Sequence, residues 1–400
     1  LTGLAGLLIA AILLTQTDIS LPLKALLCLA ATALPMIVWT VLVEKVHLRP
    51  STGLDFSRPR PLDATLATTR VKLIGLFSTW LAIGFFYFAV RYYSGPGFIF
   101  YFILLAELAA PLCLGSIIYV YFVDRHSTQP HDGLWHMGRL ITGHRRSVDW
   151  PQIKDYARGW LIKAFFLAFM LSILPGITRA VLDYPFTSVL WDPVSAANLL
   201  IRCMFFADVC FGTVGYILTL RLLDSHVRSA NPYLSAWVAA LICYPPFILM
   251  GTGGPLNYHV GTQDWSVWFV GYPLVLTLWG VLLVTLAGFY AWATVAFGYR
   301  FSNLTHRGII TNGPYRYFKH PAYLSKNLFW WLAHVPVLSL TGTTDALRNC
   351  ILLLSVNVIY YLRAKTEERH LKQDDAYVAY LRWIEANGVL AKLRSRFKQH

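Results

Sequence analysis

Two polar stretches hold the residues of this chain that could do chemistry, NGPYRYFKHPAYLSKN (312–327) and YLRAKTEERHL (361–371). In the first, the Gly313-Pro314 pair marks a turn and Pro321 suits the first turn of a following helix. His320 then falls just ahead of a helix N-terminus, with Tyr323 on its first turns. In the second, Arg363 stands four residues before Glu367, on one helical face, with Glu368 beside it. Carboxylates and aromatic faces stabilise a cation. A planar guanidinium grips a carboxylate by two parallel hydrogen bonds, and an imidazole offers both a donor and an acceptor. Arg363 and Glu367 also read as a plain i,i+4 ion pair at a helix end, so that alternative stays open.

The elements that must position these residues are hydrophobic. Of 400 residues, 56% are hydrophobic and 14% charged, against about 25% charged in ordinary soluble domains. This predicts an all-α polytopic integral membrane protein. Stretches near 3–15, 21–43, 71–93, 99–123, 160–182, 196–223, 234–250, 267–297, 322–340 and 346–362 are the candidate spans, about ten in all. The eighth is long enough to tilt, or to bend at Pro273 or Gly280. The last residues, VLAKLRSRFKQH (389–400), set Val389, Leu390, Leu393 and Phe397 among basic residues, as a short amphipathic helix on a membrane surface does. The sequence begins at Leu1 without a methionine, so residues are expected to precede it, and no cleavable signal pattern is visible.

Lysines and arginines alternate sharply between loops. Segments 44–70, 124–159, 221–233, 298–320 and 363–400 carry about 26, and the opposite set about two, which predicts both termini on the cytoplasmic side. The net charge of +14 is then a topology signal, not a nucleic-acid footprint. An inner or plasma membrane of bacterial type, or an endomembrane, fits equally. Both polar stretches fall on the cytoplasmic side, where a water-soluble cofactor enters.

Other signals are weaker. The six cysteines lie in apolar stretches without a CxxC and read as buried thiols. His126, His131, His136 and His144, with Asp124 and Asp132, crowd one loop at spacings that match no metal-ligand pattern, so the expectation is a solvated loop and no metal. Charges inside spans are costly and usually paired, and Glu107, Arg202 and Asp208 are such charges; a Glu107–Arg202 pair is the first expectation. GTGG (251–254) lacks the Lys-Ser/Thr of a phosphate loop.

The order Gly313, Pro314, Tyr315, Arg316, Tyr317, Lys319, His320, Pro321, Tyr323, Leu324, followed some forty residues later by Arg363, Lys365, Glu367, Glu368 and Leu371, resembles the isoprenylcysteine carboxyl methyltransferase family and its phospholipid methyltransferase relatives. The resemblance covers roughly 267–383. It implies a membrane-embedded enzyme that binds S-adenosylmethionine and methylates a lipid or lipidated acceptor drawn from the bilayer, with no metal and no nucleic acid involved. It further implies His320, Tyr323, Leu324, Glu367, Tyr315 and Arg316 as cofactor-binding residues, and Arg363 and Glu368 as catalytic ones, Arg363 orienting the acceptor carboxylate. Three departures stand out: Lys319 where the family has arginine, Ser325 where glycine is common, and no Phe-Gly before Tyr377 and Tyr380. Those two tyrosines read as a membrane-interface belt.

The chain accordingly divides into a membrane region of unassigned role (1–250) and a methyltransferase region with a cytoplasmic cofactor site (251–400). A lipid carboxylate is the first expected acceptor and a lipid amine the second. A sterol-reductase-like NADPH enzyme shares the His-Pro-x-Tyr segment, but the Glu367–Glu368 pair suits a 2′-phosphate poorly. A transporter or lipid scaffold is the non-enzymatic alternative.

Overall fold

The computed structural model describes residues 1–189, 191–389 and 391–392. It is all-α apart from one short antiparallel pairing, Ser229–Ala230 with Thr305–His306, in the register Ser229↔His306 and Ala230↔Thr305, and an isolated bridge between Leu54 and Ser127. The helices are α1 (Thr2–Leu14), α2 (Leu21–Val38), α3 (Leu62–Ala89), α4 (Ile99–His126), α5 (Gly133–Ile141), α6 (Trp150–Leu182), α7 (Phe186–Val189), α8 (Pro193–Ile217), α9 (Leu234–Leu241), α10 (Trp265–Trp268), α11 (Pro273–Phe297), α12 (Pro321–His334), α13 (Thr343–Leu371) and α14 (Asp375–Asn387). The surface C-terminal helix expected over 389–400 lies largely outside the described residues.

Among the described residues, 7 helices are long and apolar enough to cross a membrane: Leu21–Val43, Leu62–Ala89, Pro96–His126, Trp150–Leu182, Pro193–Ile217, Pro273–Arg300 and Thr343–Leu371. Their outer faces carry large apolar side chains, such as Leu81, Phe88, Leu274 and Leu278, which lipid covers in an integral membrane protein. The other three expected spans are shorter. The helix α1 has 13 residues, α9 has 8 and α12 has 14, or about 20, 12 and 21 Å at 1.5 Å per residue, against a core of about 30 Å. Two of the stops have a local cause. Pro245 and Pro246 have no N–H to continue α9, and α12 ends at a left-handed Val335 followed by Pro336. Pro273 begins α11 at N1 and does not bend it.

The chain forms two compact units, Leu1–Gly176 with Gly212–Pro232 and Tyr299–Gly308, and Ile177–Phe211 with Tyr233–Gly298 and Ile309–His400. In the first unit, α3 packs against α4 and α5. Lys72 Nζ lies 3.0 Å from Asp124 and 3.3 Å from Asp132, and Arg60 lies 3.3 Å from Asp124. Thr68 and Thr69 also donate to Asp124. These partners satisfy a fully buried carboxylate, as the interior demands. The histidine-rich segment is therefore not a solvated loop. Asp132 caps α5 by accepting from Trp135 N, and glycine at 138 is needed because a Cβ there has no room against Val71. Buried His136 accepts from the Asp149 amide at 3.1 Å. No His/Cys/Asp/Glu group able to hold a metal ion occurs among the described residues.

The segment leading to the first polar stretch is pinned within this unit. Arg307, 3% exposed, donates to the carbonyls of Ser225, Gly215 and Phe301 at 2.6, 2.9 and 2.8 Å. Its planar fork can serve all three at once, which a lysine ammonium on a flexible stem does less well.

In the second unit, α12 packs between α11 and α13, and α9 lies along α13. Polar side chains fix the α12–α13 pair: Trp331 Nε1 donates to Asn357 at 2.8 Å and Asn357 Nδ2 to Asn327 at 2.8 Å. Such bonds stand in for the hydrophobic drive that apolar surroundings cannot supply.

Candidate active site

The start of α12 and the last turns of α13 meet, bringing the two polar stretches together. Gly313–Arg316 forms a short turn in which Gly313 has φ +58°. That favours glycine, and Trp292 and Ala296 approach where a side chain would point. Tyr315 is buried with its ring 5.2 Å from that of Phe297, edge to face. Pro321 occupies N1 of α12 and His320 the N-cap, so the sequence reading of this boundary holds.

From there the polar groups pair across helices. His320 Nε2 donates to Glu368 Oε1 at 3.0 Å. The Tyr323 hydroxyl donates to Glu367 Oε1, and the His320 and Tyr323 rings are nearly parallel with centroids 5.7 Å apart. Lys365 Nζ lies 3.3 Å and Lys319 Nζ 3.7 Å from Glu368, and Lys319 also reaches Glu385 at 3.5 Å. The arginine-to-lysine departure at 319 therefore keeps an ion-pairing cation. Ser325 is buried and its hydroxyl donates to Pro321 O at 2.8 Å, so the extra polar atom is absorbed by its own helix.

Arg363 is 3% exposed, and its Nε lies 3.5 Å from Glu367 Oε1. Its guanidinium carbon stands over the rings of Tyr323, Tyr244 and Tyr360 at 5.2, 5.5 and 5.9 Å. A desolvated cation over several ring faces gains about 2 kcal/mol or more. The i,i+4 pair is thus real, and it is embedded in an aromatic cage. Glu367 is the more open carboxylate, with 24% of its side chain exposed against 7% for Glu368. Leu324 and Arg316 are exposed and stand outside this hydrogen-bonded network.

Sequence reasoning missed Tyr244 and Tyr360. Tyr360 lies three residues before Arg363, so helical spacing could have found it; Tyr244 carries no local signal. It also misplaced Tyr377 and Tyr380, which are core residues, not an interface belt. Asp374 caps α14 by accepting from Ala376 N, which folds α14 back so that both tyrosines are buried with Leu381 and Ile384. The Tyr380 hydroxyl donates to Tyr315 O at 2.8 Å, and burial pushes that phenol up to about 12, so it remains a donor at physiological pH.

Of the three charges expected within spans, Asp208 accepts from Tyr290 at 2.9 Å and Thr294 at 2.5 Å. Arg202 lays its guanidinium over the Tyr184 ring at 5.4 Å and is exposed. Glu107, also exposed, makes no ion pair among the described residues.

Fold and site together define a polytopic all-α membrane protein with a carboxylate–aromatic site at adjoining helix ends. Residues 275–373, from the start of α11 to just past α13, match the isoprenylcysteine carboxyl methyltransferase (ICMT) family. No curated protein and no solved structure matches the chain.

Proposed function

We propose that the protein transfers a methyl group from S-adenosylmethionine to the carboxylate of a lipidic or prenylated acceptor, within the 251–400 region and at a site opening to the cytoplasm. The observation that carries this reading is the Tyr323–Glu367–Arg363 cluster beside the His320–Glu368 pair. A sulfonium cation needs a reachable carboxylate and aromatic faces, and Glu367 with the Tyr323 and Tyr315 rings suits it. A 2′-phosphate would meet two carboxylates here, so the residues fit a nicotinamide dinucleotide phosphate less well.

When bound, that cofactor supplies a methyl carbon that an acceptor oxygen can attack, the bonding pair returning to sulfur. The chain's own residues do the rest. His320, held by Glu368, presents an oriented imidazole to the cofactor's polar end, with Leu324 and Arg316 at the rim. Arg363 sits beside Glu367 and orients the acceptor carboxylate. Glu368, half of a buried ion-paired network, acts by positioning His320. Donor and acceptor charges diminish towards the transition state, and a site walled by Tyr244, Tyr323 and Tyr360 favours that loss. No enzyme-bound covalent species is required, because positioning supplies the acceleration.

Purified protein incubated with radiolabelled S-adenosylmethionine and lipid extract tests this. Label should move into a base-labile, lipid-soluble ester; label in an alkali-stable amine would replace the carboxylate by an amine.

A further inference from the structure

Lys326 is a buried-facing cation that the site described so far does not use. It lies on α12 one turn beyond Tyr323, about 4.5 Å further along the helix axis. Its ammonium stands 5.2 Å from the Trp330 ring centroid, 5.4 Å from Tyr290 and 5.7 Å from Tyr360, so α11, α12 and α13 each contribute a face. A lysine near a helix end ordinarily extends its ammonium towards water. This one is turned onto three rings, and among the described residues no carboxylate lies within 4.0 Å of it.

Asp208 feels the Lys326 charge. Both Asp208 oxygens are already engaged, by Tyr290 and by Thr294. Tyr290 thus links the two: its hydroxyl binds Asp208 while its ring carries Lys326. This holds the ammonium in place and leaves its charge without a contacting anion. Tyr360 makes a second link, since its ring lies under Lys326 on one count and under Arg363, at 5.9 Å, on the other. Arg363 has Glu367 beside it; Lys326 has no such carboxylate.

We propose that Lys326 is a specificity-determining residue that selects an anionic lipid headgroup, a carboxylate, as the acceptor. The inference rests on the methyltransferase reading above. Two cations flanking one buried ring repel a cationic ammonium lipid, and an ammonium that lacks a contacting anion is satisfied by an incoming carboxylate. It acts with Arg363 on the acceptor and leaves the cofactor to Glu367 and His320.

The test uses the full chain in detergent, with N-acetyl-S-farnesylcysteine as a prenylated carboxylate and its carboxamide as the uncharged match. S-adenosylhomocysteine binding is measured in parallel. Wild type should bind the acid about tenfold more tightly than the carboxamide. Lys326→Gln should reduce that preference to within about twofold, and Lys326→Arg should retain it, while S-adenosylhomocysteine affinity stays within about threefold in all three. An unchanged acid preference in Lys326→Gln, or no preference in wild type, would overturn the assignment. So would a parallel loss of S-adenosylhomocysteine affinity rescued by Lys326→Arg, because it would make Lys326 a structural partner of Tyr290 and Asp208. Failure of wild type to bind S-adenosylhomocysteine would instead remove the methyltransferase reading itself.

Discussion

His320 and Glu368 meet at 3.0 Å between Nε2 and Oε1, joining the N-cap of α12 to the last turn of α13 across 48 residues of sequence. The contact fixes which ring nitrogen donates and turns the imidazole towards Tyr323. If the imidazole contacts the cofactor, its partner matters only through it. His320→Ala and Glu368→Gln should each weaken S-adenosylhomocysteine binding. The double variant should be little worse than His320→Ala, with a coupling of about 1–2 kcal/mol in calorimetric titrations. Additive losses would separate the two residues.

Glu367 and Arg363 should part company in kinetics. Glu367→Gln removes the charge facing the sulfonium and should weaken S-adenosylmethionine binding by about tenfold or more, and that of the neutral thioether S-adenosylhomocysteine less. Arg363→Lys keeps a cation beside Glu367 and over the rings, so cofactor affinity should hold within about threefold while turnover falls roughly 10- to 150-fold. Equal losses of cofactor affinity would make the pair a single cofactor-side unit.

The Lys72–Asp124 pair in the other unit carries a stability prediction. Lys72→Met leaves the fully buried Asp124 with one cation fewer and should cost about 3–5 kcal/mol, read as a lower melting temperature in detergent. Lys72→Met combined with Asp124→Asn should recover part of that loss. No recovery would show that the threonine and Arg60 contacts, not the ion pair, hold this corner.

Much of this was legible because local rules govern it. The Gly-Pro turn, Pro321 at N1 and the Arg363–Glu367 spacing are short-range facts, and the structure keeps each of them. What the sequence hid is convergence. Tyr244 reaches Arg363 from the turn that follows α9, and Lys326 faces rings from three helices. Seven of the ten expected spans have a helix long and apolar enough to cross a membrane, and prolines and a left-handed turn shorten two of the others. Tyr377 and Tyr380 look like an interface belt only until the Asp374 cap folds α14 inward.

The orientation expected from the loop charges needs its own test. Ser147→Cys, in the basic 124–159 segment, should react with an impermeant maleimide only after the inner membrane face is opened. Gln263→Cys, in the segment carrying no lysine or arginine, should react in intact cells. The reverse pattern would place His320 and Glu367 away from the cytoplasm and its cofactor pool.

The central claim is that the α12–α13 cluster binds a sulfonium cofactor. Isothermal titration of the purified protein with S-adenosylmethionine and with NADPH, on wild type and on Glu367→Gln, tests it most directly. The account predicts saturable binding of S-adenosylmethionine to wild type, a weakening of about tenfold or more in Glu367→Gln, and no response to NADPH. Saturable NADPH binding, with no response to the adenosyl compound, would contradict it.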